Sequence, residues 1–269
     1  MRDMKETVIE IKDLVSYSGN RKILDGINLD IYKGETLTIL GRSGCGKSTL
    51  LKCIIGLYKP TSGSILIKGQ EVTGMSEDEF LPILKKVGML FQGGALFNSM
   101  SVADNVALPL REHTELEDST IGIMTRMKLD QVGLAGFGDF MPSQLSGGMK
   151  KRAALARSIA MDPNILFCDE PSAGLDPIVA VGIDHLIIKL KKAFKMTIVV
   201  VTHELESVHT IADRVALLDG GKIVALGTFD ELKASKDVVV RQFFDRQPDP
   251  DEIDREAHLE TLTGTNDLD

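Results

Sequence analysis

Gly41, Arg42, Ser43, Gly44, Cys45, Gly46, Lys47, Ser48 and Thr49 have the types and spacing to hold a phosphate chain. The glycines allow backbone conformations closed to residues with a Cβ, so that successive N–H groups can converge on one concavity. A helix starting just after them adds unpaired N–H groups and a partial positive charge. Lys47 adds a full charge aimed at the β and γ phosphates of a nucleoside triphosphate, and the Ser48 hydroxyl is placed to ligate Mg²⁺. The spacing G-x-x-x-x-G-K-S is the P-loop pattern. A glycine turn before an exposed lysine is the plainer reading. Against it stand both flanks: Thr36 to Leu40 reads as a short buried strand and Leu50 to Leu57 as a helix.

A second chemical cluster is the run Leu166, Phe167, Cys168, Asp169, Glu170, an apolar strand ending in two carboxylates. Because side chains alternate along a strand, Asp169 and Glu170 are expected to point to different places. One can hold Mg²⁺ while the other orients and deprotonates an attacking water, and hydrolysis at one phosphate needs both tasks. Some twenty residues earlier, Ser146, Gly147 and Gly148 at a helix start offer further exposed N–H donors, a second anion site. Two phosphate loops in one chain leave two arrangements open. Either both meet within one subunit, or two subunits pack head to tail and each covers the other's nucleotide.

The elements that must position these groups are legible in outline. Thr7 to Ile31 alternates apolar and polar residues around a turn at Ser18, Gly19 and Asn20, as antiparallel strands do. Gly63 to Gly69 is another strand, so the first seventy residues read as a P-loop core with a small β layer. The strand within Lys85 to Gln92 ends at Gln92, and Asn98 to Leu145, with short amphipathic segments at Val102 to Leu110 and Ser119 to Val132, reads as a mostly helical insertion. An α/β pattern then resumes: a helix within Leu145 to Met161, a strand Asn164 to Asp169, a helix Val179 to Phe194 and a β-branched strand Thr197 to Thr202. Strands of that last kind are central and parallel. A helix Glu204 to Ala212 and a hairpin across Gly220 and Gly221 complete the body.

Composition narrows the function classes. The 269 residues are 43% hydrophobic and 26% charged, which supplies a core. No run of about 18 apolar residues occurs, and Met1 to Glu6 is polar, so neither a membrane span nor a signal peptide is expected. Cys45, Cys53 and Cys168 lack metal-ligand spacing and read as free thiols, Cys45 as a small residue that fits its loop or else a reactive thiol. The net charge of −8 is concentrated at the end: from Gln247 onward there are eight acidic residues and one basic, leaving 31 acids and 30 bases in the body. A nearly neutral body carries no nucleic-acid footprint.

With these motifs the stretch from Val8 to Phe229 resembles the ATP-binding cassette (ABC) ATPases. Leu145, Ser146, Gly147, Gly148 and Met149 look like the family's signature sequence, with Met149 where glutamine is common. The resemblance implies an α/β P-loop fold of the ABC type: a RecA-like core, an antiparallel β subdomain and an inserted α-helical subdomain at about 93–160, within an ATPase domain spanning 1–246. It implies ATP and Mg²⁺ as cofactors and the head-to-tail homodimer. Gln92 resembles the Q-loop glutamine that touches Mg²⁺ or the attacking water. Leu175, Asp176 and Pro177 look like the D-loop at the dimer interface, His203 resembles the switch histidine on the γ phosphate, and Tyr17 the aromatic that stacks on adenine.

An ABC ATPase without a membrane span must act on another polypeptide, so an integral membrane permease met through the helical insertion is implied. Phe91 to Thr114 and Val240 to Asp245 resemble the ATPases of Mla-type phospholipid transporters, which work with MCE-domain proteins. The implied location is the cytoplasmic side of the inner membrane. An importer of small solutes or a cell-division complex would use the same ATPase. A non-transport protein acting on DNA or ribosomes is disfavoured by the missing basic patch and second cassette, and an inactive scaffold by the complete set Lys47, Gln92, Asp169, Glu170 and His203. The acidic stretch 247–269 is too polar to fold alone. It is either a disordered terminus or, through Ile253, Leu259 and Leu262, a segment docked on the neighbouring subunit.

Overall fold

The computed structural model of the protein describes residues 6–245; the acidic stretch and the docking expected of Ile253, Leu259 and Leu262 lie outside them. β1 (Thr7–Ser18) and β2 (Arg21–Tyr32) form an antiparallel pair. β3 (Thr36–Leu40) leads through the P-loop into α1 (Lys47–Ile54). β4 (Ser62–Ile67) and β5 (Gln70–Glu71) complete a four-stranded antiparallel sheet in the order β2-β1-β4-β5.

Next comes α2 (Glu77–Leu84), which is not among the elements expected from the sequence. Its signal is Ser76-x-x-Glu79: the Ser76 hydroxyl accepts the Glu79 N–H and the Glu79 carboxylate accepts the Ser76 N–H, a reciprocal cap. β6 (Val87–Leu90) precedes residues 93–160, which hold α3 (Val102–His113), α4 (Asp118–Gln131), a 3-10 turn at Pro142–Gln144 and α5 (Gly147–Ser158). The remainder runs β7 (Ile165–Asp169), α6 (Pro177–Phe194), β8 (Thr197–Thr202), α7 (Leu205–Ile211), β9 (Arg214–Asp219), β10 (Lys222–Gly227), α8 (Phe229–Lys233) and α9 (Val238–Phe244).

The second sheet has the order β10-β9-β3-β8-β7-β6, parallel except for β10. β3, β7 and β8 are buried along their whole length, and their near-unbroken apolar or β-branched runs follow from having both faces covered. Alternation sorts their side chains into separate cores. Leu166, Cys168, Ile198 and Val200 pack with residues of α3, α5 and α6. Ile165, Phe167, Val199 and Val201 pack with α1 and the antiparallel sheet. Leu40, Val215 and Leu217 join Val208, Leu232 and Val240 of the last three helices. Each such fully buried aliphatic or Phe side chain contributes about 1.5–3 kcal/mol, so the strand ends are held from two sides. Those ends lie together: Leu40 stands opposite Thr202, and Asp169 opposite Val201. Open parallel sheets bind ligands outside such carboxyl ends.

Candidate active site

α1 starts at Lys47, three residues before the apolar run that marks it in the sequence. Gly46 is its N-cap with φ +111°, and a Cβ there would meet the Ile23 carbonyl oxygen at 2.9 Å, so both conformation and space require glycine. Gly44 is also left-handed, at φ +76°, while a Cβ at Gly41 would run into the Leu218 carbonyl. Lys47, Ser48 and Thr49 therefore form the first helical turn, with the unpaired N–H groups of the helix start. The buried Lys47 ammonium lies over the loop, donating to the Gly41 and Arg42 carbonyls at 2.8 Å each. Ser43 is exposed at the loop's outer turn. Cys45 is partly buried, and burial pushes its thiol up, which opposes the reactive-thiol reading; Cys168, fully enclosed in β7, is pushed up to about 12.

The structure brings Ser48 and Asp169 together: the Ser48 hydroxyl donates to Asp169 Oδ1 at 3.0 Å across 121 residues of chain. Burial pushes the Asp169 carboxyl up and the Ser48 hydrogen bond opposes that shift. A hydroxyl and a poorly solvated carboxylate beside a phosphate loop are hard oxygen donors, the chemistry that Mg²⁺ takes. Among the described residues there is no cluster of three His, Cys, Asp or Glu that could hold a metal by itself. The Ser48–Asp169 pair fits a hard divalent cation by the chemistry of its two oxygens.

Glu170 departs from the expected strand geometry. The strand ends at Asp169, and Glu170 adopts φ +47°, a left-handed conformation that costs a non-glycine residue about 1–3 kcal/mol. Its separation from Asp169 thus comes from a backbone turn rather than from alternation within a strand. The turn sends its carboxylate toward the end of β8, where Thr202 Oγ1 donates to Oε2 at 3.1 Å and His203 Nδ1 pairs with Oε1 at 2.8 Å. Glu170 is 7% exposed, whereas the His203 side chain is 55% exposed and reaches solvent.

Gln92 lies two residues beyond β6 and is exposed; what ties it to this group is its main-chain carbonyl, which accepts the buried Lys151 ammonium. The same ammonium donates to the Glu170 carbonyl. Lys151 is a residue the sequence reading did not single out. Its position on the stripe 151, 154, 155 of α5 is the available signal, since that stripe is otherwise apolar and buried.

Ser146 caps α5, accepting the Met149 N–H at 3.3 Å, and Gly147 and Gly148 open the helix. Asp176 likewise caps α6, accepting the Val179 N–H at 3.1 Å. These helix starts touch: a Cβ at Gly148 would stand 2.5 Å from Val179 Cγ1, and one at Gly147 3.3 Å from Leu175. The P-loop is elsewhere. α1 packs on β2, β7 and β8, while α5 packs on α3, α4, α6 and β6. Tyr17 is exposed near the end of β1 and paired with Lys22, next to the Ile23 that abuts Gly46.

The ABC transporter family profile matches residues 24–173. The "Intermembrane phospholipid transport system ATP-binding protein MlaF" of Haemophilus influenzae is 46% identical over 246 residues, covering 91% of this chain and 93% of the relative. The "Probable ribonucleotide transport ATP-binding protein mkl" of Mycobacterium leprae is 43% identical over 235 residues, covering 87% and 68%. Among solved structures, the dimeric post-hydrolysis state of the ATP-binding cassette MJ0796 bound to ADP and Pi matches with a TM-score of 0.76 and 30% identity, covering 82% of this chain and 98% of that one.

Proposed function

Since the chain belongs to the ABC transporter family as its ATP-hydrolysing subunit, we propose that its cargo is phospholipid and that the residues gathered at the ends of β3, β7 and β8 carry out hydrolysis. The observation that carries the catalytic assignment is the placement of Glu170, with its carboxylate on His203 at 2.8 Å while the neighbouring Asp169 is on Ser48 at 3.0 Å. Two adjacent carboxylates have different partners, and so different tasks.

In this reading Lys47 exchanges its two carbonyls for β and γ phosphate oxygens, with the N–H groups of Gly41 to Thr49 around them and Tyr17 beside the base. Ser48 and Asp169, with Gln92 as a further oxygen donor, would hold Mg²⁺, which would supply charge neutralisation at the phosphates. Glu170 accepts a proton from the attacking water. His203, paired with Glu170 through Nδ1, hydrogen-bonds a γ phosphate oxygen through its other ring nitrogen. Ser146, Gly147 and Gly148 cover the nucleotide of a second copy, with Asp176 at the seam. The packing of α1 and α5 on different elements favours two chains over one for completing each site.

The load is a permease. An apolar groove of about 540 Å³ runs between α2, β6 and α3, lined by Leu81, Leu84, Phe91, Phe97, Leu108 and Met161, beside the Gln92 loop. It fits a short amphipathic segment of a membrane subunit, so that force on the groove reaches the catalytic residues. No helix among the described residues is long and apolar enough to cross a membrane, and we place the chain on the cytoplasmic face of the inner membrane through that permease. The likeness to the Haemophilus protein favours phospholipid cargo and an MCE-domain partner; the likeness to the mycobacterial protein favours ribonucleotide as the second reading. Affinity purification from detergent-solubilised membranes, with mass spectrometry of bound proteins and small molecules, separates them. A permease recovered with an MCE-domain protein and phospholipid is expected. A different permease without lipid refutes the cargo assignment and leaves the ATPase untouched.

A further inference from the structure

Lys151 is 7% exposed and sits on α5, five residues beyond Ser146. Its Nζ donates to the Gln92 carbonyl at 2.5 Å and to the Glu170 carbonyl at 3.0 Å. One ammonium thus joins the main chains of two loops that leave neighbouring strands. Six residues farther along the helix, the Arg157 guanidinium donates to the Gly94 and Ala95 carbonyls at 2.8 and 2.7 Å. The segment held this way is bent, with Gly94 at φ +75° and Ala95 at φ +50°. A left-handed alanine persists only where its surroundings hold it. Removing an ammonium from water is costly when its main-chain partners are neutral carbonyls, and burial pulls the Lys151 pKa down against the attraction of the nearby Glu170 and Asp169 charges. Packing alone would be served by leucine or methionine.

We propose that Lys151 is a positioning residue for ATP hydrolysis, fixing the main chain at Gln92 and Glu170 to the helix whose first residues cover the partner copy's nucleotide. The inference rests on the roles of Glu170 and Gln92 given above. A displacement of α5, whether it starts at the second copy's phosphate or at the groove beside Arg157, moves both carbonyls together. The two nucleotide sites of a dimer are then coupled through one side chain in each copy.

The test compares Lys151→Met and Lys151→Arg in the chain assembled with its permease, reading kcat, KM for ATP, the Hill coefficient and Tm. Methionine keeps the length of the side chain and removes its donors. Expected is a fall in kcat of about tenfold or more from misplacement of the catalytic loops, with KM within about twofold, a Hill coefficient moving toward one, and recovery of most of the rate by arginine. If Lys151→Met does not fold, Lys151→Gln, whose shorter neutral donor weakens both carbonyl bonds, is expected to show the same changes in smaller measure. In a Gln92→Ala background the effect of Lys151→Met should shrink, because both act through one loop. Unchanged kcat, full additivity with Gln92→Ala, or a loss that follows Tm without rescue by arginine overturns the proposal. Glu170→Gln serves as the independent control: turnover surviving there removes the base assignment, whereas an inactive Glu170→Gln beside an unaffected Lys151→Met removes this inference alone.

Discussion

Replacing Glu170 by glutamine exchanges one proton-accepting oxygen for an amide nitrogen and leaves the rest of the side chain nearly unaltered. The left-handed backbone at residue 170 is unaffected, as are its carbonyl's bond from Lys151 and its N–H bond to the Val201 carbonyl at 2.8 Å. Of the two side-chain contacts, to Thr202 at 3.1 Å and His203 at 2.8 Å, the amide oxygen can keep one. Losing the other, charge-assisted bond costs about 1.5–3 kcal/mol, an upper bound on the net change because a buried charge disappears with it. A general base is worth about 10²–10⁴ in rate, or about 2.7–5.5 kcal/mol of barrier. The catalytic effect should therefore exceed the structural one. Phosphate release, nucleotide binding by equilibrium dialysis and thermal melting, measured side by side, separate them. Expected are turnover lower by about a hundredfold or more, ATP affinity within about threefold of the parent and a folded chain, with an ATP-dependent dimer that accumulates on size exclusion. Turnover within about tenfold of the parent would refute the argument, because a carboxylate that is dispensable for proton transfer is not the base.

Gly148→Ala places a methyl 2.5 Å from Val179 Cγ1 and should cost about 1–3 kcal/mol of stability by overpacking; Val179→Ala in the same chain should restore most of it, and failure to do so in urea melts would remove the contact as the cause. Asp184 is buried on α6, bonded by the Ser207 hydroxyl at 2.7 Å on one oxygen while the other lacks a hydrogen-bond partner. Burial pushes its carboxyl above the ordinary value of 3.8. The folded chain thus holds this proton more tightly than the unfolded one, so the contribution to stability is complete below about pH 4 and is lost as pH rises through the raised value. Asp184→Asn should flatten that part of the stability curve from pH 4 upward, and an unchanged slope in urea melts would count against the assignment.

What the sequence disclosed was local. β3, β7 and β8 are unbroken apolar or β-branched runs, and the glycine spacing before Lys47 is a fixed pattern, so fold and nucleotide chemistry could be read from windows of about ten residues. The start of α1 at Lys47 rather than Leu50 was hidden because its first turn is built from phosphate-loop residues, which are not apolar. α2 was missed although Ser76 and Glu79 carry its cap. The contacts that assemble the site, Ser48 with Asp169, Glu170 with His203 and Lys151 with Gln92, span 121, 33 and 59 residues. No window contains them. The backbone turn at Glu170 was equally invisible, since a glutamate carries no signal for positive φ.

The placement of the P-loop on α1 and of Ser146 to Gly148 on α5, packed against different neighbours, has a genetic consequence in a head-to-tail dimer. Suppose that one lesion inactivates the P-loop and another the α5 loop. Carried by one chain opposite an intact partner, they spoil both composite sites, one through each loop. Divided between the two chains, they fall in the same site and leave the other whole. In such a dimer the ordinary cis–trans test would be inverted: the arrangement that usually supplies function would silence it, and the one that usually fails would preserve half of it.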